Sequence, residues 1–132
     1  MSPIVYLDSS AILKLVFEEA ESAGLRDFLT SWPHRVSSTL ARIEVTRVVA
    51  RVEDPLALRD AELMLRRMHL VRIDDQIVFA AATLEPRGLR SLDAIHLATA
   101  RTLGHHLAGL VTYDRRLAGA TRQLGITVWS PN

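Results

Sequence analysis

Four carboxylates in this sequence are spaced so that they could act together: Asp8, Glu44, Asp93 and Asp114. Asp8 ends the apolar run Ile4-Val5-Tyr6-Leu7, and Asp114 ends the run from Leu107 to Tyr113. Asp93 falls in the first turn of a helix that Ser91 opens as its cap, and Glu44 in the first two turns of a helix after the short run Arg35-Val36-Ser37. In an open α/β sheet, strand C-termini and nearby helix starts share one rim, where ligands bind. Like charges gathered there repel, so they take up protons or a cation joins them. Oxygen-only ligands favour a hard ion, Mg²⁺ or Mn²⁺. Such an ion acidifies a bound water and neutralises charge developing on a phosphate, which makes metal-assisted phosphodiester hydrolysis the natural chemistry. Two of the acids also have a plainer reading. Asp8 can be a helix cap, and Glu44 can be a solvated side chain paired with Arg47 or Arg51 on the same helix face.

Other chemistries fit less well. There is no glycine-rich phosphate loop and no dinucleotide fingerprint, and with no Cys there are no disulfides or thiolate metal sites. His105-His106 lacks the i, i+4 spacing of a helical metal pair, and His34 and His69 lie near element ends. His96, one turn after Asp93, reads first as a packed helix residue that could touch substrate. No serine has a His–acid pair that the sequence can position.

The elements that must place the acids alternate along the chain. Ile4–Leu7 is a buried strand, and Ser9 or Ser10 caps a helix from Ala11 to Glu18. A second helix runs from Glu21 to Trp32 and stops at Pro33. Arg35–Ser37 is a strand, and Ser38 or Thr39 caps a helix from Leu40 to Glu53 whose apolar positions are Ile43, Val45, Val48 and Val49. Asp54-Pro55 restarts a helix that reaches Met68. Leu70–Ile73 is a strand, Asp74 or Asp75 caps a helix through Leu84, and Gly104 closes the Asp93 helix. Leu107–Tyr113 is the next strand, Arg115–Leu124 a short helix, and Ile126–Trp129 the last strand. Five strands alternating with helices argue for a parallel sheet covered on both faces, a three-layer α/β/α sandwich.

At 132 residues the chain reads as one domain, residues 1–132, with room for a sizeable core. Apolar content of 48% with 23% charged residues is that of a globular protein, and the net charge of +1 gives no strong overall attraction to nucleic acid. Of the 16 basic side chains all but Lys14 are arginine, the better bidentate phosphate partner, although a GC-rich genome produces the same skew. No apolar run reaches the roughly 18 residues that a membrane span needs. No basic segment precedes an apolar core and cleavage site, so a cytoplasmic location is expected. The helices between Glu21 and Met68 carry more large Leu and Met residues than one small sheet needs, which suggests a partner-binding surface.

Four segments in order carry a resemblance: Ile4-Val5-Tyr6-Leu7-Asp8-Ser9-Ser10-Ala11, Ala41-Arg42-Ile43-Glu44-Val45, Leu92-Asp93-Ala94-Ile95-His96-Leu97-Ala98 and Leu110-Val111-Thr112-Tyr113-Asp114-Arg115-Arg116-Leu117. Over essentially its full length the chain resembles PIN-domain ribonucleases of the VapC toxin type. The resemblance implies a five-stranded parallel sheet, Mg²⁺ or Mn²⁺ at the acid cluster and endonucleolytic cleavage of RNA. It further implies a small antitoxin whose C-terminal segment covers the site, and frequent homodimers. By it, Asp8, Glu44, Asp93 and Asp114 are the catalytic, metal-holding acids, while Ser9, Ser10 and Thr112 match positions that support them or touch the ion's water. Arg47, one turn from Glu44, and Arg115 and Arg116, at a helix start beside Asp114, are the arginines expected to contact phosphates. Some PIN domains process RNA without being toxins. A receiver-like binding module is the rival from another class, but it would want paired acids at the first strand's end and a late Lys. Here Ser9 follows Asp8 and the single Lys is Lys14; Ser10 likewise stands where a haloacid-type phosphatase needs a second Asp.

Overall fold

The strand Ile4–Leu7 (β1) lies at the centre of a five-stranded sheet and feeds both of its faces. Val5 and Leu7 enter one core and Tyr6 the other, and all three are fully buried. Large residues on both faces are what a strand covered by helices on each side requires. The computed structural model describes residues 3–132; Met1 and Ser2, part of the unit expected over 1–132, lie outside the described residues.

Strands β2 (Arg35–Ser38), β3 (His69–Val71), β4 (Leu107–Val111) and β5 (Val128–Trp129) complete an all-parallel sheet in the order β3-β2-β1-β4-β5. Helices α1 (Ser9–Val16), α2 (Ser22–Leu29), α3 (Thr39–Ala50) and α4 (Pro55–Arg66) build the core over Val5 and Leu7. On the Tyr6 face lie α6 (Ser91–Arg101) and α7 (Arg115–Gln123), with α5 (Asp75–Ala82) packed against α6. This is the three-layer α/β/α sandwich with a five-stranded parallel sheet that the alternation predicts. Among the described residues no helix is long and apolar enough to cross a membrane.

The differences from expectation sit at element ends. Ser9 and Ser10 do not cap α1: both are already helical, and Asp8 is the cap, accepting the Ala11 amide at 3.0 Å. Ser91 likewise opens α6 as a helical residue, and extended Arg90 precedes it without a side-chain cap bond. Ser38, Asp54 and Asp74 do cap α3, α4 and α5. β3 stops at Val71 and not Ile73, because β2, its one partner among the described residues, ends at Ser38 opposite it. β4 stops at Val111 and not Tyr113, because the Tyr113 amide donates to the Ser10 hydroxyl instead of the ladder. Of the apolar positions assigned to α3, Val45 and Val49 are buried, whereas Ile43 and Val48 face solvent.

Gly109 on β4 leaves room for the close approach of Trp129. A Cβ there would press into the Trp129 ring and lie 2.8 Å from the Thr127 carbonyl oxygen. Trp129 is itself held by Phe28 and Trp32, with ring centroids 5.2 and 5.3 Å away. Gly109→Ala is therefore expected to lower unfolding free energy by about 1–3 kcal/mol, read from the urea midpoint. An unchanged midpoint would show that Trp129 can move aside freely.

Candidate active site

Asp8 stands at the C-terminal end of β1 and is only 3% exposed. Its carboxylate is surrounded by donors: the Ser10 hydroxyl at 2.7 Å and the Ala11 amide at 3.0 Å reach Oδ1, and the Thr112 hydroxyl at 2.5 Å reaches Oδ2. Burial pushes the Asp8 carboxyl above its ordinary pKa, and the Thr112 and Ser10 hydroxyls only partly offset that. Thr112 in turn accepts the Asp114 amide at 3.0 Å. Asp114 caps α7, its Oδ1 accepting the Arg116 and Leu117 amides at 2.8 and 3.0 Å.

Glu44 reaches the same rim from α3. Its Oε1 accepts the Ser9 hydroxyl at 2.5 Å and lies 2.7 Å from His96 Nε2. Burial alone would raise its pKa, but hydrogen bonds from His96 and Ser9 outweigh it and hold the carboxyl below the usual range. His96 is 2% exposed, and its Nδ1 lies 2.7 Å from the Tyr6 hydroxyl. Asp93 projects from the first turn of α6, half-buried. Burial raises its pKa first, and the charges of Asp114, Asp8 and, least, Glu44 raise it further.

These groups line one hollow of about 210 Å³ that holds Asp8, Glu44, Asp93 and Asp114 together with Ser9, Ser10, Leu13, Val48 and His96. A larger hollow of about 660 Å³ between α5 and α6 holds none of the four acids. Thr112 lies beneath the acids, against Asp8. Arg47, Arg115 and Arg116 are all exposed, and Glu44 pairs with His96 instead of Arg47 or Arg51. Arg115 lines a neighbouring hollow of about 360 Å³ that includes Asp114 and Arg122, a residue the sequence reading passed over although it lies two turns along the same helix. Arg47 and Arg116 line neither hollow. The helix start expected to attract phosphate at Arg115 and Arg116 is already occupied, since Asp114 takes the first free amides.

The donor chemistry suits a hard divalent cation: four carboxylates, no lining Lys or Arg, and a carboxyl at Asp93 that burial and its neighbours' charges discourage from ionising. Among the described residues no three His, Asp or Glu side chains are already gathered closely enough to hold an ion by themselves. Mg²⁺ does not require that, because it keeps several waters and binds through one or two carboxylates.

An acid-lined hollow at the C-terminal rim of a five-stranded parallel sheet is the setting in which the comparisons fall. The PIN domain matches residues 5–122, and the chain belongs to that family. Within it, the chain is a VapC-type member. It is 44% identical to ribonuclease VapC46 of Mycobacterium tuberculosis over 97% of this chain and 98% of that protein. It is 38% identical to ribonuclease VapC47 of the same organism, over 97% of each. In fold it matches a toxin–antitoxin complex from Klebsiella pneumoniae with a TM-score of 0.75 at 21% identity, over 97% of this chain and 98% of that one. Family membership sets aside the receiver-like alternative.

The raised Asp93 carboxyl has a consequence for stability. A carboxyl whose folded pKa lies above its unfolded value favours the fold at low pH and loses that contribution as pH rises through the folded pKa. In metal-free protein, Asp93→Asn is thus expected to raise the thermal midpoint at neutral pH. The gain should vanish below the ordinary carboxylate range, where Asp93 is protonated folded or unfolded. Melting curves across pH check this, and a neutral-pH midpoint at or below wild type would contradict the cost of burying and crowding this charge.

Proposed function

We propose that this chain is a cytoplasmic Mg²⁺- or Mn²⁺-dependent endoribonuclease acting as the toxin of a toxin–antitoxin pair. The observation that carries the reading is the meeting of Asp8, Glu44, Asp93 and Asp114 in one hollow, in a chain with full-length similarity to ribonucleases. Asp8, Asp93 and Asp114 would hold the ion, with Glu44 beside them directly or through water. When bound, the ion supplies an acidified water and positive charge for the phosphate. Asp8 is kept in place by Ser10, Thr112 and the Ala11 amide, so it presents a fixed oxygen. Asp114 gives Oδ1 to the α7 amides and keeps Oδ2 for the hollow. Arg115 and Arg122, which line one hollow with Asp114, are suited to flanking phosphates of the RNA, whereas Arg47 and Arg116 are placed for weaker, peripheral contacts.

Partner binding has its own support. Leu25, Leu29, Leu65 and Met68 are spent in the core, so the surface expected on the helices between Glu21 and Met68 narrows to Ile43, Val48 and Val52 on or just beyond α3 and Leu56 and Leu63 on α4. Val48 also lines the acid hollow. An antitoxin segment lying along these residues would cover the site, and homodimerisation would use another face. Light scattering with and without a neighbouring small gene product tests both. A monomer that binds no such product would remove them.

Cleavage of an RNA mixture with Mg²⁺, Mn²⁺ or chelator tests the chemistry. Asp93→Asn should lower the rate by more than ~100-fold, since it removes a ligand and not an outer support. Calorimetry should show Mn²⁺ binding weakened by Asp8→Asn, whose amide still caps α1. Arg115→Ala should raise KM and reduce the salt slope by about 1 while leaving kcat near wild type. Chelator-resistant cleavage, or equal Mn²⁺ affinity in Asp8→Asn, would refute the mechanism.

A further inference from the structure

Glu44 differs from the other acids in how it is held. Its flexible side chain reaches in from α3, and both of its hydrogen-bond partners, Ser9 and His96, converge on the same oxygen, Oε1. Oε2 has no hydrogen-bond partner among the described residues and is left for the hollow. His96 comes from α6 on the opposite face of the sheet, one turn beyond Asp93, so one helix delivers an acid to the hollow and a support to the acid across from it.

The direction of that support follows from the proton count. A ring nitrogen 2.7 Å from a carboxylate oxygen needs a proton between them, and Ser9 donates its own proton to the same oxygen. On the other side of the ring, the Tyr6 hydroxyl lies 2.7 Å from Nδ1, with the two rings edge-to-face at 74°. Tyr6 is fully buried on β1, and a phenol so placed keeps its proton and donates it. In the neutral ring Nδ1 then accepts, which puts the imidazole proton on Nε2, pointing at Glu44.

We propose that Tyr6 and His96 form a positioning pair that locks the His96 ring as the Nε2–H tautomer and so holds Glu44 with Oε2 turned into the site. The proposal deepens the nuclease reading and rests on it. Both act through Glu44. Outer partners of this kind commonly change metal affinity or activity by about 10- to 100-fold.

The test separates reach from bulk. Gln at position 96 places an amide N–H near the Nε2 position, whereas Asn places it near Nδ1, too short to reach Glu44. His96→Gln should keep cleavage and Mn²⁺ affinity close to wild type, and His96→Asn should lose about 10- to 100-fold in both at a similar melting temperature. In ¹⁵N-histidine-labelled wild type without metal, the ring signal missing from His96→Gln should show the proton on Nε2. In Tyr6→Phe the same ring should become a mixture of tautomers. A proton on Nδ1 in wild type, or equal losses in the Gln and Asn variants, would overturn the assignment. If wild type cleaves no RNA, the nuclease reading falls separately, and tautomer and Mn²⁺ affinity then decide the role of His96.

Discussion

A buried carboxylate is costly unless donors surround it, and the structure is built around meeting that requirement at Asp8. Its three donors come from the start of α1 and from Thr112, more than one hundred positions later. The group that must be offered to the site is therefore also the knot between the central strand, the first helix and the segment after β4. Each hydroxyl in the knot serves twice: Ser10 donates to Asp8 and accepts the Tyr113 amide, and Thr112 donates to Asp8 and accepts the Asp114 amide. Among the described residues no buried side-chain nitrogen or oxygen lacks a partner. A polar network this complete strengthens itself in a low dielectric and allows little repacking.

Around that knot the acids are unequally tethered. Asp8 and Asp114 are tied by backbone amides and Glu44 by Ser9 and His96, while Asp93 is set by burial and by the charges of its neighbours. The fold holds three carboxylates through local bonds that help fold the chain, and leaves the fourth as the point where repulsion accumulates. Sites that concentrate like charge sacrifice some stability for function.

The positions of the four acids were legible because strand ends and helix starts are marked by short apolar runs that stop at Asp8 and Asp114, and by the polar opening before Asp93. The sandwich was legible for the same reason, since alternation of strands with helices admits few arrangements. What the sequence concealed depends on partners far along the chain. Ser9 and Ser10 look like caps, but their hydroxyls are drawn to Glu44 and Asp8, and the acid takes over the cap. His96 looks like a packed helix residue, and it is one; its link to Tyr6 and Glu44 spans 90 and 52 positions, which no local pattern reports. Ile43 and Val48 fit the apolar rhythm of α3, yet they point outward, because periodicity does not say which side of a helix meets the sheet.

The strand order has a bearing on synthesis. β1 emerges first, but its neighbours at the sheet's centre are β2, made early, and β4, made near the end. Thr112 and Asp114, which complete the knot and the acid set, follow β4 directly. Chains leave the ribosome at roughly 5–20 residues per second, so the early segments wait several seconds for their late partner. During that time Asp8 lacks one of its donors and the rim lacks an acid. A growing chain, or one truncated before Thr112, thus has no complete site, and the acid hollow closes only once the segment after β4 has been made.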